Sequence, residues 1–310
     1  MKRAFTAAAS AVALLLTGGC ATGSTTPAAS GPDAAASAGS YPVTVGGVTL
    51  ARRPERIISL SPTSTEMLFA IGAGPQVVAV DDQSDYPAGV PKSDLSGFKP
   101  NAEAIAAKNP DLVIISNDID KIEAQLAKLK IPVLVNRAAT LIKDSYREIG
   151  DLGTLTGHRG EADTLCRQMA ERIDKIVHGV PARGKPLSYY YELDPGLYSA
   201  TSKTFVGSIL TLFGMTDIAD AADPAGAEGG YPQLSAESLI RSNPDVIFLA
   251  DSKCCRQSAA TVTARKGWDT VTAVKAGHVF ALDDDVASRW GPRTVDLVQA
   301  VADAVVKVPA

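Results

Sequence analysis

The side chains that could do chemistry cluster in loops, and the most telling are aromatic. Phe98, Tyr86, Tyr198 and Trp290 stand at the ends of apolar runs, and Arg289 directly precedes Trp290. Rings of this kind supply broad contact area, while a guanidinium meets an anionic oxygen through two parallel hydrogen bonds. Together they suit a flat or bulky organometallic ligand that already carries its metal. Direct capture of a bare zinc or manganese ion is disfavoured, because His158, His178 and His278 stand in unrelated contexts without ligand spacing. No intrinsic cofactor is expected. Haem stays open through an axial tyrosine or histidine. Tyr189, Tyr190 and Tyr191 alternate along one strand, so at most one or two of them face a ligand.

A catalytic reading lacks its parts. A hydrolase of the α/β type needs a Gly-x-Ser-x-Gly elbow and a usable histidine, and neither is convincing here. Gly72-Ala73-Gly74 follows a helical pattern, so helix termination explains it better than a dinucleotide loop. An exported α/β enzyme is the competing class. The net charge of -4 argues against a nucleic-acid partner, which would call for a basic surface. Cys166 reads as a buried thiol within a helix. Cys254 and Cys255 are adjacent just beyond a strand, where a vicinal disulfide would be strained, since neighbouring α-carbons stand ~3.8 Å apart. Free thiols or intermolecular pairing are the alternatives.

The elements that must position these residues repeat. Residues 101–115 and 235–249 share a Glu-bearing helix, an Asn-Pro-Asp stop and a continuous apolar strand, with Glu103 and Glu237 at the same place. Earlier in each half, 57–72 and 187–214 run as apolar strand, Ser/Thr-rich loop and glycine-closed helix. Two similar α/β lobes follow, 41–142 and 179–310. Between them, 143–178 is helical, and 160–178 carries Ala162, Leu165, Met169, Ile173, Ile176 and Val177 at steps of three and four. A helix of that length spans roughly 30 Å and acts as a strut rather than a hinge. The loops beyond the strand ends then line a cleft: Ser61, Thr63 and Thr65; Asp82 to Tyr86; Phe98; Asn117; Glu192 and Tyr198; Asp251 and Lys253; Arg289 and Trp290. Glutamates at symmetric positions suit docking onto a symmetric two-subunit partner.

The beginning of the chain reads as an export signal. Lys2 and Arg3 precede an apolar stretch, 7–16, and Thr17-Gly18-Gly19-Cys20 forms a small-residue site ending in cysteine. The pattern resembles a lipoprotein signal over 1–20 with Cys20 as the lipidated residue, although Thr17 replaces the usual leucine; an ordinary signal peptide is the alternative. Residues 21–40, rich in Ala, Ser, Thr, Gly and Pro, read as a disordered tether.

From about 52 to 304 the chain resembles the class III, helical-backbone periplasmic binding proteins of ABC importers for ferric siderophores, cobalamin and haem. The resemblance is carried by Pro54-Glu55-Arg56-Ile57-Ile58-Ser59-Leu60-Ser61-Pro62-Thr63-Ser64-Thr65-Glu66, by Asn101-x-Glu103-x-Ile105 with Pro110-Asp111-Leu112-Val113-Ile114, and by Trp268 to Gly277 leading to Gly291-Pro292-Arg293. It implies two Rossmann-like lobes joined by a single long backbone helix and a metal chelate held between them. It also implies a partnership with an ABC permease dimer and its ATPase, with Glu103 and Glu237 pairing with permease arginines. A monomer tethered by lipid to the extracytoplasmic face of the membrane is the expected state. The 61–66 loop and Asp85-Tyr86-Pro87 look closer to the cobalamin-type members, whereas most such lipoproteins serve iron chelates.

Overall fold

Residues 41–309 are described by the computed structural model, so the expected signal, Cys20 and the tether lie outside the described residues. The chain enters through a hairpin, β1 (Val43–Val45) and β2 (Val48–Leu50). Gly46 and Gly47 turn it at φ of 56° and 81°, a two-residue geometry that side chains resist.

The first sheet contains β3 (Ile57–Leu60), β4 (Val77–Asp81), β5 (Lys92–Leu95), β6 (Leu112–Ile115) and β7 (Val133–Val135). Its order is β5-β4-β3-β6-β7, and every neighbouring pair is parallel. The crossovers carry α1 (Pro62–Ala70), α2 (Ala102–Ala106) and α3 (Ile122–Lys128). Strands β3 and β6 are buried at every position, which is why their sequences are continuous rather than alternating. Next come α4 (Ile142–Thr156) and α5 (Arg159–Gly179).

The second sheet holds β8 (Ser188–Glu192), β9 (Thr216–Asp217), β10 (Val246–Leu249) and β11 (Val279–Ala281), in the order β11-β10-β8-β9, again all parallel. Around it lie α6 (Phe205–Thr211), α7 (Ala236–Ser242), α8 (Ala259–Thr263), α9 (Thr272–Lys275), α10 (Asp284–Ser288) and α11 (Thr294–Lys307). The two sheets are separate, and β9-β8-β10-β11 retraces β4-β3-β6-β7, with β5 as the addition in the first.

The sequence repeat has a structural cause. Asn109 and Asn243 both adopt left-handed φ, 49° and 47°; Asn243 caps α7 directly, whereas Asn109 lies two residues beyond the Ala107 cap of α2. The aspartates that follow then fasten equivalent strands. Asp111 accepts the Glu55 and Arg56 N–H groups at 2.9 Å, and Asp245 accepts the Ser188 N–H at 2.8 Å.

The expected strut is α5, within a residue of its anticipated ends. It does not stand alone. The connection is a pair of helices, with Gly157 closing α4 at φ 77° before α5 begins. Gly153 lets them touch: a β-carbon there would stand 2.5 Å from that of Ala162. Helix α4 also meets α1 of the first half and α6 of the second, and α11 packs on α5. One apolar cluster consequently runs from Ile57 and Leu68 through Leu152 and Met169 to Phe248 and Val298. No helix among the described residues is long and apolar enough to cross a membrane.

Candidate functional site

The loops that leave β3, β4, β5 and β6 converge with residues 285–290 of the second half on a cavity of about 350 Å³. This is the carboxyl end of the first sheet, where open α/β sheets hold their ligands. Its wall brings together seven of the anticipated residues: Ser61, Thr63, Gln83 of the 82–86 loop, Phe98, Asn117, Arg289 and Trp290. Leu60, Pro62, Asp81, Gly97, Ser116, Asp285 and Ser288 complete it. Ser61 is fixed as the N-cap of α1, its side chain accepting the Ser64 N–H at 3.3 Å. Gly97 is required for space, since a β-carbon there would come within 2.6 Å of the Leu60 carbonyl oxygen. Phe98 is 70% exposed on this wall, a large apolar face open to a partner.

Other anticipated residues lie elsewhere. Thr65 is fully buried, its hydroxyl hydrogen-bonded at 2.9 Å to those of Ser59 and Ser84, so it cannot reach a ligand. Asp82 is exposed but does not line the cavity. Tyr86 packs under the Arg293 guanidinium, 4.4 Å from ring centroid to Cζ, and lines a second cavity of about 410 Å³ beside α5. Tyr198 bridges in antiparallel fashion to Gln233, away from the cavity. Glu192 and Asp251 are fully buried at the ends of β8 and β10. Both Glu192 oxygens receive Arg265 at 2.5 Å, and burial, with the Glu192 charge beside it, pushes Asp251 up to about 7. Lys253 is spent on Asp283 and Asp285, at 2.7 and 2.9 Å. Tyr189, Tyr190 and Tyr191 are all buried in the core, and none faces the cavity.

Arg289 lines the wall but is not free to grip an anion with two bonds. Only 9% exposed, its guanidinium donates to Glu66 at 2.8 Å, Asp285 at 2.8 Å, Asp85 at 3.2 Å and the Gln83 carbonyl at 3.3 Å. Glu66, 2% exposed, also receives Arg293 at 2.9 and 2.5 Å. A carboxylate of α1 thus ties the first half to two arginines of the second. The anticipated site did not include Glu66, although a glutamate directly ahead of the apolar Met67-Leu68-Phe69-Ala70 end of α1 needs a partner when buried and was a readable signal.

Trp290 is oriented by α4. Its indole N–H donates to Glu148 at 2.7 Å, and its carbonyl accepts the Ser145 hydroxyl. Burial lifts Glu148 to about 7. Among residues lining the cavity there is no histidine, cysteine, methionine or tyrosine, and among the described residues no cluster of three His, Cys, Asp or Glu side chains could hold a metal ion.

Glu103 and Glu237 are exposed and occupy the first turn of α2 and α7, helices capped by Asn101 and Ser235. Each helix leads into the next strand of its own sheet, β6 or β10. A helix that feeds a parallel strand begins at the carboxyl edge of the sheet, so each glutamate lies at the cleft-side edge of its own sheet.

The profile of the periplasmic binding protein family matches residues 57–286. YvrC, an ABC transporter substrate-binding lipoprotein of Bacillus subtilis (strain 168), is 29% identical over 280 residues, covering 86% of this chain and 86% of that protein. A cobalamin-binding protein of Halobacterium salinarum (strain ATCC 29341 / DSM 671 / R1) is 30% identical over 266 residues, 83% of this chain and 71% of that one. Among solved structures, one named as a possible iron-binding (periplasmic solute-binding) protein from Staphylococcus epidermidis ATCC 12228 superposes with a TM-score of 0.71 at 27% identity, covering 82% of this chain and 99% of that one.

Proposed function

Since the chain belongs to the periplasmic binding protein family, we propose that it is the substrate-binding component of an ABC importer, taking a corrinoid or a ferric siderophore in the cleft between its halves. Relatives of this kind bind and deliver rather than transform, and the chain is not an enzyme. The observation that carries the choice of cargo is the composition of the wall. Phe98 and Trp290 offer ring area, Ser61, Thr63, Ser116 and Asn117 offer hydrogen bonds, and no side chain there is of the imidazole, thiol, thioether or phenol type. Such a wall suits a chelate whose metal is already fully coordinated. Haem, which needs an axial ligand from the protein, is the weaker alternative.

Delivery runs through a permease dimer and its ATPase, with Glu103 and Glu237 meeting basic residues on the two permease subunits. Exposed pairs of this kind govern orientation and association rate more than affinity. The protein works as a monomer held to the extracytoplasmic face of the membrane by a lipid on Cys20, as the lipoprotein name of the Bacillus relative supports. Its parts are a lobe at 41–142, inter-lobe helices at 143–178 and a lobe at 179–310.

Titration of the purified chain with cyanocobalamin, haemin and a panel of ferric siderophores, followed by tryptophan fluorescence, tests the reading. Saturable quenching by cyanocobalamin or by one ferric siderophore, lost in Trp290→Phe, is expected. Tight binding of haemin alone, or no binding of any chelate, overturns it.

A further inference from the structure

Cys254 and Cys255 lie on the loop after β10, one exposed and the other half-buried, with Sγ atoms 2.6 Å apart. Arg256 follows at φ 57°, a left-handed turn unusual for its type. The loop is fastened to α10 through one carboxylate. Asp284 accepts the Ser252 hydroxyl and the Lys253 N–H at 2.9 Å through Oδ1, and the Cys254 N–H at 2.8 Å through Oδ2. The next residue, Asp285, accepts Lys253 Nζ at 2.9 Å and Arg289 at 2.8 Å. Arg289 and Trp290 then stand in the cleft wall. One helix of five residues therefore joins the cysteine pair to the cleft.

We propose that Cys254 and Cys255 are a redox site at the rim of the cleft, closing to a vicinal disulfide and reopening, and that α10 passes the change to Arg289 and Trp290. The oxidant is a low-molecular-weight disulfide. A thiolate attacks one of its sulfurs and expels a small thiol. The neighbouring cysteine then attacks the mixed disulfide and expels the second. In sum, two protein thiols and one R–S–S–R give one protein disulfide and two R–SH, so the protein loses two hydrogens and the small disulfide gains them. The hydrogen bond with Cys255, together with burial and the Asp284 carboxylate, pushes Cys254 up to about 12. The two thiols titrate as a pair, and whichever of them carries the thiolate makes the first attack. Cys166 takes no part, since its thiol sits on α5 and donates to the Tyr146 carbonyl at 3.5 Å.

Closing the ring restrains the peptide between the two cysteines, whose N–H, that of Cys255, donates to the Asp251 carbonyl at 3.2 Å, and it moves the Cys254 α-carbon, to which the N–H bonded to Asp284 is attached. The movement at Cys254 alters its N–H bond to Asp284, and α10 carries the change through Asp285 to Arg289. The indole of Trp290 reports the shift, because the other tryptophan, Trp268, is packed in the core against Tyr190.

The test needs no cargo, so its failure leaves the proposed transport function untouched. The full chain is treated with oxidised glutathione, then with a phosphine reductant, and digested for mass analysis while its fluorescence is read in parallel. The oxidised peptide carrying both cysteines is expected to be about 2 Da lighter than the reduced one. Trp290 emission should differ between the two states, a difference absent from Cys254→Ser/Cys255→Ser and from Trp290→Phe. A stable glutathione adduct or a disulfide-linked dimer in place of the lighter peptide overturns the redox site. Identical emission in both states overturns its link to the cleft.

Discussion

Replacing Glu66 by glutamine should loosen the junction between the two halves while leaving each sheet intact. The volume is conserved and one acceptor oxygen remains, but Arg289 and Arg293 lose a counter-charge in a place where Glu66 is 2% exposed. Removing one partner of a buried ion pair costs about 3–5 kcal/mol. The lower bound applies here, because Arg289 keeps Asp85 at 3.2 Å and Asp285 at 2.8 Å, and Arg293 keeps the Tyr86 ring at 4.4 Å. About 3 kcal/mol in a chain of this size lowers Tm by roughly 6–12 °C. Calorimetry of wild type and Glu66→Gln measures that, with Glu103→Gln as a surface control expected within about 0.5 kcal/mol. Small-angle X-ray scattering should show the variant slightly expanded, since the tie it breaks links residues 223 apart in sequence. A fall in Tm of less than about 2 °C, with unchanged scattering, would refute the view that this cluster holds the halves together.

Phe98→Ala should weaken binding of the chelate roughly tenfold by removing an aromatic contact, without moving Tm, because the ring is 70% exposed before the ligand arrives. Gly97→Val should abolish binding and destabilise the fold together, as its side chain would meet the Leu60 carbonyl and the Asp81 carboxylate; equilibrium dialysis and thermal melts read the two effects. Glu148 titrates near 7 in the folded chain against an ordinary 4.5, so between those values the folded state binds more protons than the unfolded one. Its contribution to stability therefore falls as pH rises through that window and is flat above it, and the difference in Tm between wild type and Glu148→Gln across pH 4.5–8 should follow that course. The double variant Glu103→Lys/Glu237→Lys should lose uptake in cells while retaining chelate affinity in solution; unimpaired uptake would remove both residues from the docking surface.

What the chain disclosed about itself depended on how local the cause was. The repeat was readable because Asn-Pro-Asp does one job twice: a left-handed asparagine turns the chain after the helix, and an aspartate ties the neighbouring strand. The strut was readable because its apolar stripe keeps helical period over 21 residues. The loops that would carry the cleft followed from where apolar runs end. Which polar side chain in a loop turns inward did not. Ser61 and Thr65 sit in the same short stretch, yet Ser61 reaches the wall while Thr65 is claimed by Ser59 and Ser84, the latter from a different strand end. Arg289 looked like an anion clamp because two of its three carboxylate partners, Glu66 and Asp85, lie more than 200 residues away in sequence, only Asp285 being local. One sequence contains no trace of that pairing beyond the fact that a carboxylate beside the apolar Met67-Leu68-Phe69 stretch must be answered by something when buried.

The same contacts bear on how the cleft would work. Helices α4, α5 and α11 share one apolar cluster with both sheets, and Glu66 ties the halves again through Arg289 and Arg293. A wide closure around the cargo would have to break both, at a cost of several kcal/mol that a ligand touching two rings and a few hydroxyls could not readily offset. Selectivity then has to reside in a wall already in place, with Trp290 held by Glu148 and Ser145, and Gly97 leaving room beside Asp81. Exposed wall side chains such as Phe98 and Asn117 keep the freedom to adapt. Under the proposed docking, charges at Glu103 and Glu237 can orient the body on a permease but supply little energy to pry it open. Release of cargo would therefore depend on small displacements of wall residues, and the α10 segment, joined to the wall through Arg289 and to the loop after β10 through Asp284, is where such a displacement would be transmitted.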